Sequence, residues 1–109
     1  MSQTVPVPAL TTEQRADALA RATSARRRRA EVKHRLKAGA LRIAEVIAEG
    51  SRDDAIAKLK VSELVESMPG VGPVTAQRIM TDLGIAASRR VRGLGTHQAR
   101  LLIDHFEAA

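Results

Sequence analysis

The chain has no cysteine, no tryptophan and no tyrosine, and its one aromatic residue is Phe106. Without cysteine there is no disulfide framework, no thiol nucleophile and none of the usual thiolate ligands for zinc. Without aromatic platforms the chain cannot bind single-stranded nucleic acid in the usual way, by stacking successive bases on side-chain rings. No run approaches the ~20 apolar residues that a membrane-spanning helix needs. Met1 to Leu10 carries no basic residue ahead of an apolar block, so no signal peptide is expected and the reading is a soluble cytoplasmic protein.

What the chain has in excess is positive charge. A net charge of +6 spread over 109 residues favours an anionic partner, nucleic acid first. The distribution is uneven: residues 1–40 hold nine Lys/Arg against three acidic groups, residues 41–84 five against seven, and residues 85–109 four against two. Two basic segments flank an acidic middle.

No stretch sustains the alternation of a strand, and the pattern throughout is helical, so the expected fold class is all-α. Residues 1–10, with Pro6 and Pro8, read as a flexible lead-in. Thr11 and Gln14 form a capping-box pair, and the Ala- and Arg-rich stretch that follows has no Pro or Gly until Gly39. This predicts a basic helix over residues 11–39, roughly 40 Å long. Leu19 is the only large apolar residue of its first half, whereas Val32 and Leu36 give its second half a spacing that can dock on a core. Residues 40–109 then form the compact domain. Leu41–Glu49 reads as a short helix with Leu41, Ala44, Ile47 and Ala48 apolar, stopped by Gly50. Ser51 and Ser62 are the expected caps of the next two helices. Pro73 suits the first turn of a helix with Val74, Ile79 or Met80, and Leu83 inward, and the last helix starts at Thr96 with Leu101, Leu102, His105 and Phe106 inward.

The stretch Leu64–Met80 carries the pattern of a helix–hairpin–helix: Pro69-Gly70-Val71-Gly72, then Ala76 and Ile79 at fixed distances. The glycines allow positive φ and a close approach of backbone to phosphate. Successive amides and the positive end of the second helix make a concave anion site. Val71 is expected to point inward and small Ala76 to let the helices pack closely. Pro73 is not cationic and Glu63, Glu66 and Asp82 lie nearby, so binding here falls to backbone amides and the Thr75 hydroxyl. The alternative is a tight turn that binds nothing.

A second candidate is Ser88-Arg89-Arg90-Val91-Arg92-Gly93-Leu94-Gly95, with three arginines beside two glycines. The planar donor fork of arginine suits phosphate. A third is Arg26 to Arg29. Four consecutive helical residues span about 300° and cannot share one groove, but Arg26 or Arg29 with Lys33 and Lys37 makes one basic stripe. The histidines show no metal spacing, and no metal, cofactor or small-molecule substrate is expected. A glycosylase would need a catalytic Lys or Asp downstream of the hairpin; only Asp82 and Asp104 follow it and no Lys does, so no catalytic residue is assigned.

With these motifs in hand the sequence resembles the actinobacterial integration host factor family. The resemblance rests on Thr11–Ala16, Ala30–Lys33, Glu45–Ile47, Lys60–Leu64, Pro69–Gly72 and the arginine loop, and runs from Leu10 on. It implies a long N-terminal helix followed by a helix–two-turns–helix domain like that of a small-subunit ribosomal protein. It also implies a nucleoid-associated, duplex-DNA-binding function that bends or organises DNA and supports site-specific recombination, in a monomer located in the bacterial nucleoid. DNA contacts would fall on Arg89, Arg90, Arg92 and Gly93, and on the hairpin at Gly70, Val71, Gly72 and Thr75, with Arg29 and Lys33 adding charge. Pro73 and Thr75 depart from the family, whose members often carry basic residues there. The rival is a binder of structured RNA, since the domain type is shared with a ribosomal protein.

Overall fold

The computed structural model describes residues 10–107, so all of the expected lead-in except Leu10 lies outside the described residues. Helix α1 runs from Thr12 to Lys37 and begins as its sequence dictates. The Gln14 amide donates to Thr11 Oγ1 at 3.1 Å, and Gln14 Oε1 accepts from the Thr11 amide at 2.8 Å, which satisfies two donors that the helix leaves open. It ends on Gly39 at φ +75°, where the Ala40 amide reaches the Arg35 carbonyl at 2.8 Å and the Gly39 amide reaches Leu36 at 3.0 Å. That paired closure needs a residue at positive φ, which glycine adopts without strain.

Val32 and Leu36 are buried while Leu19 lies exposed, so only the C-terminal half of α1 docks on the domain. The Cα radius of gyration is accordingly 17.7 Å, against ~13 Å for a compact chain of this length. The rest of the domain is α2 (Ile43–Glu49), α3 (Asp54–Ala57), α4 (Val61–Glu66), α5 (Pro73–Asp82), a 3₁₀ turn (Val91–Gly93) and α6 (Thr96–Glu107). Helix α4 packs on α5, α1 on α3, and α2 on both α3 and α6. With Leu36 of α1, the residues Ile43, Ile56, Leu59, Val61, Leu64, Val65 and Leu102 are the fully buried centre.

Tertiary context moves several expected positions. Ser51 does not cap α3; its hydroxyl donates to the Ala48 carbonyl at 2.8 Å, in the closing turn of α2, and Asp53 caps α3 instead. Ser62 is already inside α4, because the Val61 amide is committed to the Arg89 carbonyl at 2.8 Å and Lys60 becomes the N-cap. Helix α2 starts at Ile43 and buries Ile43 and Val46; Leu41 and Ile47 only lean on the core and Ala48 is exposed. Val74 is 73% exposed, since the α5 face that meets α4 is Ala76, Ile79 and Met80. His105 also faces outward, edge-on to Phe106 with ring centroids 4.9 Å apart.

Asp53 does two things at once. One carboxylate oxygen accepts from the Ala55 amide at 3.0 Å, and the other accepts from Arg28 Nε on α1 at 2.9 Å. The Arg28 hydrogen bond, with help from the α3 amides, holds the Asp53 carboxyl below its ordinary value of 3.8 despite the opposing effect of burial. The same pair raises the Arg28 guanidinium. A carboxyl depressed in the folded state contributes stability above its unfolded pKa and loses it as pH falls through the folded value. Asp53→Ala is therefore expected to cost about 1–2 kcal/mol at pH 7, from a lost cap and a partly exposed ion pair. The deficit relative to the unsubstituted chain should shrink below pH 3.8, as read by urea unfolding at pH 7 and pH 3. An equal deficit at both would show that the carboxylate charge contributes nothing.

Candidate nucleic-acid interface

The arginine loop is positioned by a contact that neither segment announces alone. Lys60 and Arg90 form an isolated antiparallel bridge: the Val61 amide donates to the Arg89 carbonyl at 2.8 Å and the Val91 amide to the Leu59 carbonyl at 2.9 Å. Val91 is buried, so the loop is anchored in the core at its middle. On either side the arginines stay at the surface. Arg90 Nη1 donates to the Lys58 carbonyl, Arg89 Nη1 donates to the Gly93 carbonyl at 3.0 Å, and Arg92 is exposed. Together Arg89, Arg90, Arg92 and Gly93 edge one open concavity, with Ser88 at its margin.

Arg90 also faces a second hollow, of about 490 Å³, between α1 and the bridge. Its cationic lining is Arg26, Arg29 and Lys33 from α1 with Lys58, Lys60 and Arg90, against the single carboxylate of Glu63. Arg29 is half-buried here and Nη1 donates to the Ala55 carbonyl at 3.3 Å; Lys33 makes no hydrogen bond or ion pair among the described residues. The bridge thus joins the loop arginines to the stripe on α1. Sequence reasoning missed Lys58 and Lys60. The available signal was only their placement on either side of an apolar residue: Lys58 closes α3 in a helical conformation (φ −87°), Leu59 is buried and Lys60 opens α4 extended (ψ 136°).

The hairpin lies at the other end of α4. Gly70 has φ +76° and requires glycine, and Val71 leans on the core as expected. Gly72 differs from expectation. Its φ of −96° suits any residue, and no atom lies within 4 Å of where a β-carbon would sit, so what glycine leaves there is open approach. No side chain caps α5: Pro73 has no amide hydrogen, and the first hydrogen bond into the helix runs from the Ala76 amide to the Gly72 carbonyl at 2.9 Å. The amides of Val74 and Thr75 therefore stand ahead of any helical acceptor, at the positive end of a ten-residue helix, with the exposed Thr75 hydroxyl beside them. Lys33 lines the cleft beside Gly72 and Pro73 as well as the hollow beside Arg90, and so links the two ends of α4. Lys37, the last member of the stripe, donates instead to main-chain carbonyls of the hairpin.

A family model described as "S13-like H2TH domain" matches residues 36–106. An integration host factor of Streptomyces coelicolor is 56% identical over 100 residues, covering 92% of this chain and 94% of that one. The integration host factor of Mycobacterium tuberculosis is 50% identical over 103 residues, covering 94% of this chain and 98% of its own. The chain belongs to the integration host factor family. Another member, from Mycolicibacterium smegmatis, is 50% identical over 101 residues, with 93% and 96% covered. Among solved structures, sIHF bound to an 8bp palindromic DNA is 54% identical and superposes with a TM-score of 0.78 over 80% of this chain and 98% of that one. The long helix followed by a small helical domain that the resemblance implies is the architecture seen here. Among the described residues, no helix is long and apolar enough to cross a membrane.

Proposed function

We propose that this chain binds duplex DNA through the phosphate backbone with little sequence preference, bending and organising it in the nucleoid and supporting site-specific recombination in that capacity. The role is architectural rather than catalytic. The observation that carries it is the Lys60–Arg90 bridge, which gathers the loop arginines and the α1 cations at one end of α4 while the other end opens onto an uncapped helix terminus. Arg89, Arg90 and Arg92 supply planar donors for phosphate oxygens, with Gly93 keeping the loop low. Gly70 and Gly72 present the hairpin, where the amides and the Thr75 hydroxyl take a second phosphate. Val71 pins that turn, and Arg29 and Lys33 add long-range attraction. Where guanidinium, ammonium and main-chain N–H groups bond phosphate oxygens they position a duplex without reading its bases, which supports weak sequence preference. Two sets of donors at the two ends of one rigid helix give a single copy of the chain the leverage to bend DNA. The names of the relatives support the recombination role, and the DNA-bound neighbour favours DNA over RNA.

Titration of a labelled duplex of arbitrary sequence should give a Kd on the order of 10⁻⁴ to 10⁻⁶ M at physiological salt. Gly72→Ala should leave stability within about 0.5 kcal/mol of the parent, because its methyl meets nothing. It should weaken binding roughly tenfold, the worth of one charge-assisted hydrogen bond. Failure of the parent chain to bind the duplex overturns the reading; unchanged affinity in Gly72→Ala removes the hairpin from the interface.

A further inference from the structure

Lys37 closes α1, and its ammonium reaches across to the turn that follows α4. Nζ donates to the carbonyls of Glu66 at 2.9 Å, Met68 at 3.2 Å and Val71 at 3.3 Å. A lysine head group has three donors and no acceptor, so here each donor has its own oxygen. All three oxygens are main-chain, from the end of α4 and the hairpin; those of Glu66 and Val71 accept no main-chain hydrogen bond among the described residues, and that of Met68 also accepts from the Val71 amide at 3.1 Å.

We propose that the turn Glu66–Val71 is a three-carbonyl cation site, that Lys37 supplies its cation from within the chain, and that filling this site sets the direction of the hairpin's outward amide. The link is peptide geometry. In a trans peptide the carbonyl and the next N–H point in opposite directions, and there are no cis bonds among the described residues. Holding the Val71 carbonyl toward Lys37 therefore turns the Gly72 N–H away from it. That N–H belongs to the one hairpin residue whose β-carbon position is open and whose conformation does not itself demand glycine. A positive charge on the carbonyl also polarises the shared peptide unit and strengthens its N–H as a donor. Lys37 is then a positioning residue: it leaves the basic stripe and acts through the hairpin. Its consequence for DNA rests on the function proposed above; the cation site itself does not.

The test uses the full chain without DNA. Melting temperature and the Gly70 and Gly72 amide resonances are measured for the parent, Lys37→Met and Lys37→Arg, in ammonium chloride and in tetramethylammonium chloride at equal ionic strength. The parent should look the same in both salts. In tetramethylammonium, which cannot donate, Lys37→Met should shift the Gly72 amide and melt roughly 5 °C lower. Ammonium should return both toward the parent values. Lys37→Arg should stay shifted, because a planar fork cannot aim three donors at converging oxygens. A Lys37→Met chain with the parent's Gly72 amide, or one that responds to the two salts as the parent does, overturns the proposal. If the Gly72 amide moves while duplex affinity measured alongside does not, the cation site stands and the hairpin's part in DNA binding falls.

Discussion

Replacing Arg90 and Arg92 together by alanine is expected to weaken duplex binding about 100-fold at physiological salt, since a hydrogen bond to a charged partner is worth about 1.5 kcal/mol and two are lost. The fold should survive. Arg92 is exposed and Arg90 spends one donor on the Lys58 carbonyl, whereas the loop's anchor is buried Val91 and the bridge is made of main-chain atoms. The matched control is Arg21→Ala with Arg27→Ala, which removes the same charge from exposed positions on α1 outside the hollow that Arg90 faces. That pair should cost less than about tenfold, because charge more than a Debye length from the phosphates is screened. Anisotropy titrations of the four chains against one duplex distinguish a placed guanidinium from bulk charge. Equal losses in the two double variants would mean that the loop holds no particular position on DNA.

The second large effect concerns Gly50. It closes α2 at φ −58°, an ordinary helical value, so its backbone does not demand glycine. Its surroundings do. A β-carbon there would lie 2.5 Å from Val91 Cγ1 and 3.2 Å from the Ile47 carbonyl oxygen. Val91 is β-branched and buried and cannot turn aside cheaply. Gly50→Ala is therefore expected to cost about 1–3 kcal/mol by overpacking. The displaced residue is the arginine loop's anchor, so duplex affinity should fall as well, although Gly50 touches no proposed phosphate ligand. In a Val91→Ala background the same substitution should cost under about 1 kcal/mol, because the clashing methyl is gone. Urea denaturation of the four chains completes the cycle, and purely additive costs would contradict the contact.

Local chemistry was legible in the sequence where it is self-contained. The Thr11–Gln14 box, the stop at Gly39 and the core spacing of Val32 and Leu36 involve partners within one or two turns, and the structure keeps them all. The Pro-Gly-Val-Gly hairpin and the arginine cluster were legible for the same reason, because each is a contiguous motif. The misreadings share one physical cause. Ser51 and Ser62 are good caps in isolation, but the first sits in the closing turn of α2 and the second is pre-empted by a bridge to residue 89, some 30 positions away. Val74 looked inward because it is apolar; Pro73 at the start of α5 and the contact at Ala76 fix a register that leaves it outside.

The site shows the same division. Arg89, Arg90 and Arg92 could be named from sequence, but their meeting with Lys58, Lys60 and the α1 stripe depends on one non-local pair of main-chain hydrogen bonds. Lys37 fits a helical stripe by spacing alone, and its attachment to the Glu66, Met68 and Val71 carbonyls follows only from the fold.

The central claim is that phosphate contacts dominate binding, and salt titration tests it most directly. The association constant for two unrelated duplexes, measured from 50 to 300 mM potassium chloride, should fall linearly on a log–log plot, with a slope of about −0.9 for each phosphate neutralised. Three loop arginines and two α1 cations predict a slope between roughly −3 and −5, nearly the same for both sequences. A slope near zero, or a steep preference for one duplex that persists at high salt, would contradict it.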